Sequence, residues 1–184
     1  MSNLGRRVVR QRGFVVALIT AASVLVVLVA QNVLTNTFGY LALLSSGTLS
    51  GQHWNFLLSP RAFTLDVAFA AGVLVGLWFI APVASDLRLF HVITRSLLAT
   101  IVGAVVAGVI DLGIGLFDAF VGPLGAMTGF NGHAAVVASG RAIATAGDYF
   151  ISEVPLVILA GVLLWIWLER HPRNHQVAGF IDDV

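Results

Sequence analysis

Residues 96–121 have the sequence SLLATIVGAVVAGVIDLGIGLFDAFV, which is the clearest indication of how this chain folds. It is almost wholly apolar and carries two carboxylates, Asp111 and Asp118. About 20 apolar residues in an α-helix cross the roughly 30 Å hydrocarbon core of a bilayer. A helix also satisfies its own backbone polar groups, which lipid cannot do. The stretch therefore predicts a membrane-spanning helix.

The whole chain shares this composition. Of its 184 residues, 58% are hydrophobic and 10% are charged, and the mean hydropathy is +0.95. Soluble domains carry about 25% charged residues, so this chain has too few polar side chains to cover a water-exposed surface. Its ten cations, all Arg, are too few for a nucleic-acid-binding patch, and without cysteine it forms no disulfide. We predict an all-α integral membrane protein in which residues 1–184 form one domain.

Three other apolar stretches complete a predicted bundle of four transmembrane helices. The predicted spans are residues 14–34, 65–85, 96–121 and 149–168, and the two long outer loops are residues 35–63 and 122–147. A six-span alternative would add residues 38–58 and 133–146. It is disfavoured because Gln52, His53, Asn55 and Arg141 would then lie in lipid. The two segments are assigned to outer loops, with interfacial or re-entrant helices as the alternative within them.

The arginines predict the orientation of this bundle. Two of them, Arg61 and Arg141, fall on one side of the predicted membrane, and the other eight fall on the opposite side. Because cytoplasmic segments carry the excess of cations, both termini are predicted to be cytoplasmic. The Arg6-Arg7 pair resembles a twin-arginine signal, but the apolar run after it is longer than a signal core, so we expect it to be retained. An Arg-only, Ala/Val/Gly-rich chain is typical of a bacterium, which places it in a bacterial plasma membrane.

Small residues recur on one face of the third span and on one face of the second. The third-span face holds Ala104, Gly108, Asp111, Gly115 and Asp118. The second-span face holds Ala68, Gly72 and Gly76. Residues three and four apart share a helical face, and small residues let a neighbouring helix approach closely. We therefore predict that the second and third spans pack through these faces.

Asp111 is the first candidate functional residue. An acid at the centre of a bilayer costs about 2.5–3.5 kcal/mol on insertion scales, and such acids often mark an ion or proton route. No Arg is expected at its depth, whereas Gln31 and Asn32 of the first span are candidate hydrogen-bond partners. The alternative is a neutral Asp111 that joins two helices by hydrogen bonds and has no transport role.

Four other carboxylates are expected in the outer half of the membrane or at its edge. They are Asp66, Asp118, Asp148 and Glu153. If they converge, they form an acidic vestibule that attracts cations. The alternative for Asp66 and Asp148 is that each is a solvated residue at the start of a helix, favoured by the helix dipole. Glu153 lies inside its predicted span, two residues before Pro155.

These patterns indicate transport rather than catalysis. The chain has no phosphate-binding loop or nucleotide fingerprint, and its histidines are dispersed, so no enzyme activity, cofactor or metal site is predicted. We expect a transport or channel component whose carboxylates serve a proton, a cation or a small solute. The alternatives are a non-catalytic accessory or assembly subunit of a larger complex and a small-ligand-binding membrane subunit. The expected partners are the lipid bilayer and either another membrane protein or a second copy of the chain.

Overall fold

The described part of the chain consists of four long helices. The computed structural model describes residues 14–45, 59–80, 88–121 and 132–170. Helix α1 is Phe14–Ser45, α2 is Pro60–Val75 and continues as a π-helical turn at Gly76–Ile80, α3 is Leu89–Val121, and α4 is Gly132–Arg170. All four are long and apolar enough to cross a membrane. For the described residues, the prediction of an all-helical protein with four helices that could span a membrane is confirmed.

Both predicted outer loops are partly helical. The prediction for residues 132–147 is a small-residue helix within the outer loop, whereas these residues form the first part of the continuous helix α4. Helix α1 continues to Ser45 and α2 begins at Pro60, so much of the other predicted loop is also helical. The small and polar residues of these segments lower the local hydropathy, which hides the helix. The predicted loop segments 46–58 and 122–131 lie outside the described residues.

Successive helices run antiparallel, with α3 packed between α2 and α4. We call the end that holds the first turns of α2 and α4 the upper end. Helix α1 packs on α2 and meets α4 along a looser seam. At the lower end, the ring of Phe14 in α1 lies edge-on to Trp78, with their centroids 4.9 Å apart.

Glycine brings α2 into backbone contact with α3. A Cβ atom on Gly72 would lie 2.6 Å from the Cα of Gly103, which no real side chain tolerates. A Cβ atom on Gly76 would lie 2.7 Å from the Cα of Ala99. Because neither glycine has a side chain, the two backbones approach closely and gain dispersion contacts along their length.

The small face of α3 meets α4 at its upper half. A Cβ atom on Gly108 would lie 3.0 Å from the Cβ of Ala146, and one on Gly115 would lie 2.7 Å from the Cβ of Ala138. The expected pairing of these two glycines with the second span therefore differs from the structure, in which they face α4. Helix α3 therefore contacts α2 through Ala99 and Gly103, and it contacts α4 through Gly108 and Gly115. This packing fixes the positions of the polar side chains that lie between the helices.

Candidate functional site

Asp111 is the centre of a cluster that joins α2, α3 and α4. Its side chain is 1% exposed. The guanidinium of Arg61 donates to Oδ1 through Nε, at 3.0 Å, and through Nη2. The hydroxyl of Thr145 donates to Oδ2 at 3.1 Å, and Nε of Arg141 lies 3.4 Å from the same oxygen. We call these four residues the arginine–aspartate cluster. It locks three helices together through one carboxylate.

The expectation that no arginine reaches Asp111 is wrong. Arg61 lies in the first turn of α2, and Arg141 lies within α4 because that helix begins at Gly132. Val105 is the midpoint of α3, and Asp111 lies six residues beyond it. This separation places Asp111 about 9 Å from the midpoint, toward the upper end. At that level both arginines reach it while their side chains remain 33% and 43% exposed.

Asp66 is the centre of a second polar group, which joins α1, α2 and α4. The residue is 2% exposed. Asn32 donates from Nδ2 to its Oδ2 at 2.5 Å, and the hydroxyl of Tyr149 donates to its Oδ1 at 2.7 Å. The Tyr149 ring stacks on the buried ring of Phe69, with centroids 5.2 Å apart, which fixes the position of its hydroxyl. Asn32 was expected beside Asp111, and instead it bonds to Asp66.

A cavity of about 640 Å³ opens beside Asp66, between α1, α2 and α4. Its lining includes three carboxylates, Asp66, Asp148 and Glu153, and the phenol of Tyr149. Thr145 lines it as well, so the cavity and the arginine–aspartate cluster share a wall. We call this space the acidic cavity. Its described lining includes neither arginine of the cluster, so its ionisable groups in that lining are acids.

Glu153 is the unusual member of this lining. The residue is 7% exposed, and its Oε2 atom has no hydrogen-bond partner among the described residues. A buried carboxylate oxygen without a hydrogen-bond partner is unfavourable by about 1–3 kcal/mol or more, and a cation beside it would remove this cost. Glu153 therefore places a buried, unsatisfied carboxylate oxygen in the wall of the acidic cavity.

The structure separates the predicted site residues into three groups. Asp66, Asp148 and Glu153 share the acidic cavity, and Asp111 lies behind its wall in the arginine–aspartate cluster. Asp118 is exposed near the upper end of α3 and is not part of the described cavity lining. The interpretation of Asp66 and Asp148 as solvated helix starts is wrong. Asp66 is buried in the second turn of α2, and Asp148 lies far inside α4.

The remaining predicted packing residues lie inside the bundle. Ala104 is buried in α3, and Ala68 is half-buried in α2. On α3, Gly108 and Gly115 lie on either side of Asp111 along the helix.

Sequence reasoning missed a polar stripe on α4. Arg141, Thr145, Tyr149 and Glu153 follow one another at intervals of four, which places them on one helical face. The spacing is visible in the sequence. The predicted boundary between the outer loop and the fourth span divides this stripe. Arg141 and Thr145 fall in the predicted loop, and Tyr149 and Glu153 fall in the predicted span.

The chain matches no protein-family model, and no curated protein or solved structure shows significant similarity to it. Its class therefore follows from its own fold and composition. Four helices that are long and apolar enough to cross a bilayer make it a multi-pass membrane protein. Within that class, its distinguishing feature is an acidic cavity between α1, α2 and α4.

Proposed function

We propose that this protein is a small membrane transport component that passes a cation through the acidic cavity. The observation that carries the proposal is the buried Glu153, whose Oε2 lacks a hydrogen-bond partner among the described residues and which lines a cavity of about 640 Å³. Ionisable groups within membrane spans are energetically unfavourable and therefore rare. Those that occur commonly mark ion or proton routes.

Each carboxylate of the cavity has a distinct proposed role. Glu153 binds the cation, because its buried Oε2 has no hydrogen-bond partner among the described residues. Asp66 adds negative charge at a fixed position, held by Asn32 and Tyr149. The exposed Asp148 attracts cations to the cavity. The electron-rich face of the Tyr149 ring also favours an organic cation.

Asp111 has a structural role in this proposal. Its two oxygens already accept from Arg61 and Thr145, and Arg141 lies beside it. A cation arriving there would meet two guanidinium groups and be repelled. The proposed cation route therefore passes Glu153 and Asp66. Asp111 holds together the helices that form the wall of the acidic cavity.

The arginine distribution assigns the orientation within this proposal. If the eight arginines of the termini, of the connection between α2 and α3 and of the first turns of α3 are cytoplasmic, the upper end faces outward. The acidic cavity then lies in the outer half of a bacterial plasma membrane and receives its cation from outside.

Tetramethylammonium uptake into proteoliposomes tests the proposal. This ion carries a permanent charge, so it does not cross lipid as a neutral base. Glu153→Gln and Asp66→Asn are each expected to reduce uptake by about tenfold or more, which corresponds to about 1.4 kcal/mol of lost interaction. Asp118→Asn removes a carboxylate outside the described cavity lining and is expected to leave uptake unchanged.

Three results would contradict the proposal. Uptake that is equal in Glu153→Gln, Asp66→Asn and wild type would exclude the acidic cavity as the route. Saturable binding of tetramethylammonium without uptake would identify a ligand-binding subunit. An absence of both, together with a stoichiometric membrane protein that co-purifies with the chain, would identify an accessory subunit.

A further inference from the structure

An apolar groove lies below the acidic cavity along the same seam between α1 and α4. Its volume is about 620 Å³, and its lining extends from Ile19 to Val27 on α1 and from Leu156 to Trp167 on α4. Valine, leucine and isoleucine make up most of this lining. The groove exists because α1 meets α4 only loosely, so the seam is open along its side.

The cavity and the groove follow each other without a gap along the two helices. On α1 the cavity lining includes Leu28, and the groove begins at the next residue, Val27. On α4 the cavity lining includes Glu153, and the groove begins less than one turn further on, at Leu156. From Glu153 to Trp167 the helix rises about 21 Å, a length that a long alkyl chain can follow. The seam is therefore acidic at its upper part and apolar below.

We infer that this seam binds a single-chain amphiphile with a cationic head. The head lies in the acidic cavity against Glu153 and Asp66, and the chain lies in the groove toward Trp167. This inference rests on the proposed function, because the head occupies the proposed cation site. Charge complementarity selects the head, since the described lining supplies acids and no arginine. The lateral opening lets an amphiphile enter from the bilayer, where partitioning has already concentrated it.

Two probes with the same head test the role of the chain. Tetramethylammonium carries the head alone, and hexadecyltrimethylammonium adds one long chain. With the full chain in lipid nanodiscs, and with binding to protein-free nanodiscs subtracted, the long-chain probe is expected to half-saturate at a concentration at least about tenfold lower. Hexadecyl sulfate has the same chain and the opposite charge, and no saturable binding is expected for it.

The position of the chain is tested by tryptophan fluorescence. A bromine atom on the terminal carbon of hexadecyltrimethylammonium quenches a nearby indole. Trp167 lies at the far end of the groove and is 48% exposed. Saturable quenching is expected in the wild type, and its Trp167 component is the part that is lost in Trp167→Phe.

Two serines offer a matched pair of variants for the groove. Ser23 lines the groove, is exposed, and donates to the carbonyl of Ile19 at 2.9 Å. Ser139 makes the same type of bond to Ala135 at 2.9 Å on an exposed face of α4 and is not part of the described groove lining. Ser23→Phe is expected to remove the tenfold advantage of the long-chain probe by filling the groove. Ser139→Phe is expected to retain it.

The outcomes separate this inference from the transport proposal. If the two cationic probes bind equally, or if the bromine does not quench Trp167, the groove does not hold the chain and the inference is wrong, while tetramethylammonium uptake still supports transport. If hexadecyl sulfate binds as well as the cation, the carboxylates do not select the head and the inference is also wrong. If the long-chain cation binds and quenches but no cation is taken up, the inference holds and the transport proposal fails.

Discussion

Asp111→Asn is expected to lower the free energy of unfolding by about 3 kcal/mol, because it leaves two arginines without their counter-charge inside the bundle. Removing one partner of a buried ion pair destabilises proteins by about 3–5 kcal/mol. The lower end of that range applies here because the side chains of Arg61 and Arg141 keep 33% and 43% exposure, and water screens them in part. Asparagine preserves the size of the side chain and can still accept from Thr145, so the loss reports the missing charge.

The measurement is unfolding by sodium dodecyl sulfate in bicelles, followed by the fluorescence of the four tryptophans. Asp118→Asn is the matched control, because Asp118 is an exposed aspartate seven residues further along the same helix. Its effect is expected to stay within about 0.5 kcal/mol. If both variants unfold at the same detergent concentration as the wild type, the arginine–aspartate cluster does not hold the helices together.

Gly72→Val is expected to destabilise the fold by about 3 kcal/mol, because its first side-chain atom would overlap the backbone of α3. The Cβ position lies 2.6 Å from Gly103 Cα and 3.0 Å from the carbonyl oxygen of Val102. Both neighbours are backbone atoms that cannot rotate away, so α2 and α3 must separate. Overpacking of a rigid core typically costs about 1–3 kcal/mol, and a β-branched side chain against backbone lies at the upper end.

Gly113→Val is the control for this effect. No atom outside its own stretch of α3 lies within 4 Å of a Cβ at Gly113, so valine meets open space there. Helix propensity slightly favours valine over glycine, and the variant is expected to be as stable as the wild type or slightly more stable. The same detergent titration compares the two variants. If Gly72→Val and Gly113→Val unfold at the same detergent concentration, α2 and α3 are not in backbone contact.

The number and type of the helices could be predicted from the sequence because hydropathy acts on local stretches. The run at residues 96–121 is apolar enough to define a span whatever surrounds it. The upper half of α4 could not be recognised in this way. Its small residues and Arg141 lower the hydropathy, yet Arg141 faces Asp111 and Ala138 faces Gly115 of α3. Polar side chains that face another helix are not exposed to lipid. Their orientation is determined by the packing of the bundle and not by the local sequence.

The partners of the buried acids could not be predicted because they are distant in sequence. Arg61 lies 50 residues before Asp111, and Tyr149 lies 83 residues after Asp66. Whether these residues come into contact depends on the position of each helix along its neighbours. The close contacts at Gly72 and Gly115 set this position. The carboxylates themselves were visible in the sequence, but which of them is paired and which retains an unpartnered oxygen depends on this position.

Carbodiimide labelling determines whether Glu153 carries a cation-binding carboxyl group in the wall of the acidic cavity. Dicyclohexylcarbodiimide is apolar and modifies protonated carboxyl groups within membranes, and mass spectrometry identifies the modified residue. We expect that Glu153 is modified, that tetramethylammonium slows the modification, and that the arginine-paired Asp111 is not modified. Modification of Asp111 in place of Glu153, or modification of Glu153 at a rate that the cation does not change, would contradict this expectation.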